Sequence, residues 1–291
     1  MKVTWLPDAE PRPRRVAVGT FDGVHVGHRE VIRGADTVLT FDPHPSVVVS
    51  PHGAPPLLTT LERKTELIAT LGVEELVVIP FDHEFAQRSA QSFVDDVLVG
   101  GLHATHVSVG ENFRFGHRAQ GDPDLLRADG RFEVRVVELL EIDGEVVSSS
   151  HIRGLILGGA VEYADKLLGA PFVVTGEVVA GDRRGRELGF PTANIVPDDR
   201  VAVPGHGVYA AWANGRPAAV NVGVRPTFDS GRGLLVEAYL LDFDHDLYGQ
   251  TLRIAFMERL RGERRFDSVD ALVAQMHRDV ERARQIASGS V

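Results

Sequence analysis

Two histidines, His25 and His28, lie i, i+3 apart in the run Gly19-Thr20-Phe21-Asp22-Gly23-Val24-His25-Val26-Gly27-His28. Imidazoles at that spacing on one helical turn can face a single ligand together. Glycine lets a backbone approach a ligand closely, and a helix N-terminus favours negative charge, so the natural guest is a phosphate chain. H-x-x-H pairs also arise by chance and on ordinary surfaces. Gly27 between the histidines and the apolar run Val16-Ala17-Val18 before them favour the phosphate reading. Zinc is disfavoured, because the chain has no cysteine and no Glu follows His25 to make an H-E-x-x-H pattern.

Three more segments could complete a nucleotide site. Thr40-Phe41-Asp42-Pro43-His44-Pro45 ends an apolar run. Gly110-Glu111-Asn112-Phe113-Arg114-Phe115-Gly116 offers an amide for a base edge, two aromatics for a flat ring and a cation. Ser148-Ser149-Ser150-His151-Ile152-Arg153 brings hydroxyls and a guanidinium to a helix start, which suits terminal phosphates. Each also has a plain structural explanation: Pro-His-Pro can end a strand, the phenylalanines can be core, and serines cap helices. Further on, Gly181-Asp182-Arg183-Arg184-Gly185-Arg186-Glu187-Leu188-Gly189-Phe190-Pro191-Thr192-Ala193-Asn194 can cradle a polyphosphate or be a solvated turn. Thr192 and Asn194 carry oxygens suited to Mg²⁺. Glu237, among apolar neighbours in Leu235-Val236-Glu237-Ala238-Tyr239, is a general base if it faces a cleft and unremarkable if it faces solvent. No G-x-x-x-x-G-K-[ST] loop occurs, so an ATP site here is of another kind.

The elements that must hold these residues fall into two groups. Strands are expected at 15–20, 37–41, 75–80, 105–109 and 132–138, and helices near 26–33, 60–71 (Thr60 as cap, Gly72 as stop), 90–99 and 149–158. Apolar strands alternating with helices make a parallel sheet covered on both faces, with ligands beyond the strands' carboxyl ends. From Phe172 onward, strands at 172–179, 208–213, 217–222, 234–241 and 251–258 follow one another, with Asn214-Gly215 as a two-residue hairpin turn. That implies an antiparallel sheet or small barrel. A helix over 268–286 closes the chain, with Val269, Leu272, Val273, Met276 and Val280 along one face. The boundary is expected near 160–171.

The chain has 291 residues, 43% hydrophobic and 25% charged, which fits a globular protein of two domains. A formal charge of −10 argues against a general nucleic-acid binder. No apolar signal core and no run of ~18 apolar residues is present, so a cytoplasmic location without membrane attachment is expected.

Over essentially the whole length and in order, these segments resemble the bacterial bifunctional riboflavin kinase/FMN adenylyltransferase (FAD synthetase) family. Gly189 to Asn194 is similar to the riboflavin kinase signature, which Val236-Glu237, Leu241-Asp242-Phe243, Asp246-Leu247-Tyr248-Gly249 and Arg265-Phe266-Asp267-Ser268 continue. The resemblance implies an α/β, Rossmann-like nucleotidyltransferase domain over 1–166 and a riboflavin kinase-like antiparallel β-barrel with a terminal helix over 167–291. The barrel would move the γ-phosphate of ATP to the 5′-hydroxyl of riboflavin. Thr192 and Asn194 would hold Mg²⁺, Glu237 would act as base, and Gly181, Arg184, Gly185, Gly189 and Pro191 would bind ATP. The first domain would join FMN to AMP from ATP, giving FAD and pyrophosphate. There His25 and His28 would stabilise developing charge. Gly19, Phe21, Asp22, Gly27, Ser149, Ser150 and Arg153 would contact ATP and its phosphates, and His44, Asn112, Phe113 and Phe115 the flavin or adenine ring. The implied partners are small molecules, and the chain itself is expected to be a monomer or weak homo-oligomer.

The chain departs from the family pattern at Thr20 (often Asn), Ser150 (usually Thr) and Arg183 (often Gly). The segment 29–39 is shorter than expected by about ten residues, close to three helical turns. A second reading therefore keeps an active kinase and lets the shortened segment impair the adenylyltransferase.

Overall fold

Six apolar segments pair side by side in a computed structural model that describes residues 1–50, 53–181, 185, 188–224 and 234–289. They are β1 (Lys2–Trp5), β2 (Arg14–Val18), β3 (Thr37–Asp42), β4 (Glu75–Pro80), β5 (Ala104–Gly110) and β6 (Glu133–Val137). Their order is β1-β4-β3-β2-β5-β6, every pair parallel. The central strands are rich in buried apolar residues because both faces are covered. Val18, Leu39, Val77 and Val107 pack on one face against Phe93, Val97 and Leu98. Ala17, Val38, Leu76 and Val78 pack on the other against Val31, Ile32 and Ile68. A short hairpin of β7 (Glu141–Ile142) and β8 (Glu145–Val146) completes this unit, Met1–Ser149.

From β2 the chain runs one way to β3 and β4, then returns to the other side of β2 for β5 and β6. The β2/β5 junction is thus a topological switch point, where a doubly wound sheet opens a crevice. The carboxyl ends of β3, β2 and β5 lead into Asp42-Pro43-His44, Gly19-Thr20 and Gly110-Glu111-Asn112, three of the predicted site segments.

The helix after β2 runs only over Val26–Ile32. This short connection still lets β2 and β3 pair through Val16↔Thr37 to Val18↔Leu39. The helix predicted at 60–71 is Leu61–Ala69, with Thr60 Oγ1 accepting from Arg63 N at 3.2 Å. Edge strand β1 escaped the sequence reading, as did the helices Pro45–Val49, His83–Ala86 and Pro123–Asp129.

In the second unit, Ser150–Val291, six strands close a barrel: β9 (Val173–Val179), β10 (Ala193–Pro197), β11 (Gly207–Ala213), β12 (Arg216–Val224), β13 (Leu234–Leu240) and β14 (Thr251–Arg261). Their cyclic order is β10-β13-β12-β11-β14-β9, antiparallel throughout. Asn214 and Gly215 both take positive φ (45° and 78°), as a tight hairpin requires. β10 was not foreseen. The helix Ser149–Gly158 matches expectation, but the stretch read as a boundary holds a helix, Val161–Leu168, with Val161, Ala164, Leu167 and Leu168 buried.

The terminal helix spans Val269–Ser288 and is capped by Ser268 Oγ, which accepts from Ala271 N at 3.1 Å. Of its predicted apolar face, Leu272, Val273, Met276 and Val280 are half-buried, whereas Val269 is 61% exposed, and the buried positions are Asp279, Ala283 and Ala287. Asp279 can occupy one because Arg261 and Gln275 supply hydrogen bonds at 2.9 and 2.8 Å.

Candidate active sites

In the first unit, the turn after β2 is held from behind. Asp22 is buried, and its carboxylate accepts from the backbone of Leu58 (2.9 and 3.1 Å) and Thr59 (3.0 Å). Gly23 N donates to Thr59 Oγ1 at 3.0 Å. Asp22, grouped on sequence with the ATP contacts, therefore fixes the turn with its carboxylate. Phe21, also grouped with them, is buried and packs its ring edge-on to His28 at 5.3 Å. Gly19 lies under that ring, and a Cβ there would sit 3.0 Å from it. Ser149 Oγ donates to Asp22 O at 2.9 Å, which brings the first residue of its helix to the turn. Ser150 and Arg153 continue that helix in the second unit.

His25 caps the helix Val26–Ile32: its Nδ1 accepts from His28 N at 3.2 Å. The two imidazoles stack, centroids 3.4 Å apart and planes 17° from parallel. A Cβ on Gly27 would lie 3.3 Å from the His25 ring, so a larger residue would crowd the stack. Burial pulls the His25 pKa down from 6.5 to about 4, against the opposing pull of Asp22. His28 is lowered too, by burial first and then by His25 and Lys64. Both rings are therefore neutral at pH 7. His28 Nδ1 is buried with no hydrogen-bond partner.

Around the turn, His44 caps Pro45–Val49, its Nδ1 accepting from Ser46 N at 3.2 Å. Phe115 is buried against Phe93, and Phe113 stacks on it at 5.4 Å and 18°. Phe115 is thus the backing of an aromatic pair, and Phe113 its half-buried outer ring. Asn112 is exposed.

In the second unit, strand register builds the site. Asn194 on β10 and Asn221 on β12 both pair with Glu237 on β13. Strand alternation puts these three on the face opposite the buried Ile195, Val222 and Val236. Asn221 Nδ2 donates to Glu237 Oε2 at 3.4 Å. Asn194 is only 6% exposed, and its Oδ1 has no hydrogen-bond partner. Gly181 makes room for it: a Cβ there would lie 2.1 Å from Asn194 Nδ2. Gly185 O accepts from Phe190 N at 2.8 Å, and a Gly185 Cβ would lie 3.4 Å from Thr192 Oγ1. Gly189 takes φ +85°, Pro191 is exposed, and Phe190 packs edge-on against Tyr239 and His277. Arg184 and Arg183 lie outside the described residues.

Two side chains were missed. Lys64 is a buried cation on the apolar stripe of its helix, between Leu61 and Ile68; a lysine on that stripe was the available signal. Asn221 stood out only as one amide in an alanine and valine strand.

Residues 8–151 match the family model described as FAD synthetase, and 168–287 the one described as riboflavin kinase. The chain is 40% identical to the "Bifunctional riboflavin kinase/FMN adenylyltransferase" of Listeria monocytogenes, covering 92% of this chain and 91% of that protein. It is 37% identical to the protein of the same description in Escherichia coli, covering 93% and 91%. Among solved structures it is similar to one titled "Crystal Structure of Macrolide-efflux Protein from Streptococcus pneumoniae", with TM-score 0.88, 33% identity and coverage of 98% and 99%. In this chain, no helix among the described residues is long and apolar enough to cross a membrane.

Proposed function

Because this chain belongs to the family of bifunctional riboflavin kinase/FMN adenylyltransferases, we propose how its residues divide the family's two reactions. The enzyme phosphorylates riboflavin with ATP to FMN, and adenylylates FMN with ATP to FAD and pyrophosphate. Riboflavin, FMN and ATP are its small-molecule substrates.

In our reading the barrel performs the first reaction. Glu237 accepts the proton of the riboflavin 5′-hydroxyl as that oxygen attacks the γ-phosphate, and ADP leaves. Asn221 fixes the Glu237 carboxylate. Thr192 and Asn194 suit a Mg²⁺ ion: both offer oxygen, and the buried Asn194 Oδ1 otherwise lacks a partner. Such an ion, when bound, neutralises charge on the ATP phosphates. Gly181, Gly185 and Gly189 keep the backbone low enough for a polyphosphate to approach.

The first unit performs the second reaction. A phosphate oxygen of FMN attacks the α-phosphorus of ATP, and the bond to the bridging oxygen of pyrophosphate breaks. The nucleophile is already an anion, so no covalent enzyme intermediate is needed. His25 and His28 offer neutral imidazole N–H groups to the transferring phosphoryl, beyond the carboxyl end of β2, where Ser149 Oγ donates to Asp22 O. Phe113, backed by Phe115, offers a ring face, with Asn112 and His44 nearby in the chain's motifs. A cytoplasmic location, where ATP is supplied, goes with this reading.

One observation carries the division. The H-x-G-H residues close up within one unit, and Asn194, Glu237 and Asn221 within the other. The reading of an impaired first unit finds no support: the seven-residue helix Val26–Ile32 has His25 as its N-cap and His28 in its first turn. A time course of riboflavin with ATP and Mg²⁺ tests the assignment. FMN and ADP should rise first, then FAD and pyrophosphate. Accumulation of FMN with no FAD would revive the impaired reading.

A further inference from the structure

Lys64 is a buried cation near the first site with no role in either reaction as assigned. It is 5% exposed, on a helix face that otherwise carries Leu61 and Ile68 into the core. An ammonium taken out of water without a paired anion is strongly disfavoured. Asp22 and Asp42 act on Lys64 through space, but burial outweighs them and lowers its pKa. Its Nζ donates to Thr40 Oγ1 at 3.4 Å, and Thr40 Oγ1 donates to Thr20 O at 3.1 Å. The cation is thus tied to the same turn that carries the two histidines. On that turn His28 Nδ1 is buried without a partner. An incompletely neutralised cation and an unpartnered polar nitrogen, both served by one turn, point to an anion that belongs there. The histidines alone do not supply the charge, since both are neutral at pH 7. They give hydrogen bonds and geometry.

We infer that Lys64 supplies a buried positive charge to the adenylyl-transfer site, additional to the Arg153 guanidinium, favouring the negative charge that builds on the α-phosphoryl oxygens at the His25–His28 turn. This rests on the assignment of that turn to adenylyl transfer. In the step, the FMN phosphate oxygen forms its bond to the α-phosphorus while the bond to pyrophosphate breaks, and the electron pair leaves with pyrophosphate. No proton moves. Lys64 keeps its proton and acts through space and through Thr40, so its charge rather than its contact with substrate is what counts.

Lys64→Met keeps the length of the side chain and removes its charge. In the full-length enzyme, kcat for FMN to FAD should fall ~10²–10³-fold, with a much smaller change in KM for ATP. Riboflavin phosphorylation by the same preparation should stay within about twofold, which reports that the chain is folded. In the wild type, FAD formation should decline on the alkaline side at a pH below the ordinary lysine range, and that limb should vanish in Lys64→Met. The NMR titration of His28 should also move upward, because one of the charges that lowers it is gone. Adenylyl transfer within threefold of wild type, equal loss of both activities, or no alkaline limb in the wild type would overturn the inference. His28→Ala, measured alongside, separates the two layers. If it retains FAD formation, the site assignment itself fails. If it loses FAD formation while Lys64→Met keeps it, only the role of Lys64 fails.

Discussion

The parallel-sheet unit and the barrel each handle ATP, and they assemble their polar residues in opposite ways. The first site is local. His25, Gly27, His28 and the strand end that aims them lie within one turn, and the tertiary structure only brackets it with Asp22, Thr59 and Ser149. The second is non-local. Asn194, Asn221 and Glu237 come from three strands and meet only because the barrel closes in one register. A slip of one residue in any of these strands would turn its member to the opposite face and break up the set. A local motif is therefore robust and easy to read, whereas a register-built site depends on the integrity of the whole sheet.

The sharpest test of this contrast is to remove one group from each site. Glu237→Gln should lower riboflavin phosphorylation by ~10³-fold while FAD formation from supplied FMN continues. His28→Ala should do the converse, lowering FAD formation by ~10²–10³-fold with FMN formation intact. If either change stopped both reactions in a folded protein, the separation into two sites would be wrong. Gly181→Ala probes the barrel's dependence on close packing. Its Cβ would displace the Asn194 side chain, and an expected ~10²-fold loss of kinase rate checks whether Asn194 must hold its place. Asn221→Ala should cost about tenfold in kinase kcat with little change in KM, as loss of one orienting hydrogen bond predicts.

The smallest effect is on stability, and it runs in opposite directions in the two units. His25 titrates near 4 when folded, against an ordinary 6.5, because of burial. Between those values the unfolded chain binds more protons, so stability present at neutral pH is lost as pH falls, by about 3 kcal/mol at most. Asp165, on the helix Val161–Leu168, is pushed up by burial from 3.8 to about 8, although Phe172 N donates to it at 2.8 Å. There the folded state holds the extra proton, so stability is lost as pH rises from 3.8 through 8. Trp5 and Trp212 place one fluorescent reporter in each unit. Denaturant unfolding from pH 7 to 5 should weaken the Trp5 signal's unit and strengthen the other. His25→Gln and Asp165→Asn should flatten the respective slopes; unchanged slopes would refute this account.

Much of the molecule was legible in advance for reasons particular residues make plain. Val16-Ala17-Val18 and Glu75 to Pro80 announced buried parallel strands, and Asn214-Gly215 announced a hairpin. β10 was missed because Ala193 to Pro197 is short and begins within a polar motif. The helix Val161–Leu168 was missed because Gly169-Ala170-Pro171 after it reads as a domain boundary. Phe21, Asp22 and Phe115 are ligand contacts by resemblance, and the structure adds that all three side chains are buried, which a sequence pattern does not show because it does not say which way a side chain turns.

The sequence by itself determined the two fold classes, through apolar periodicity and turn signals within a few residues, and it singled out the H-x-G-H turn, Thr192, Asn194 and Glu237 as candidates whose roles come from the resemblance to the family. Only the tertiary structure decided that Lys64 lies beneath the histidine turn, that Asn221 pairs with Glu237, and that both imidazoles are neutral. Those properties come from burial and from strand register, which join residues far apart in the chain and leave no mark in local spacing.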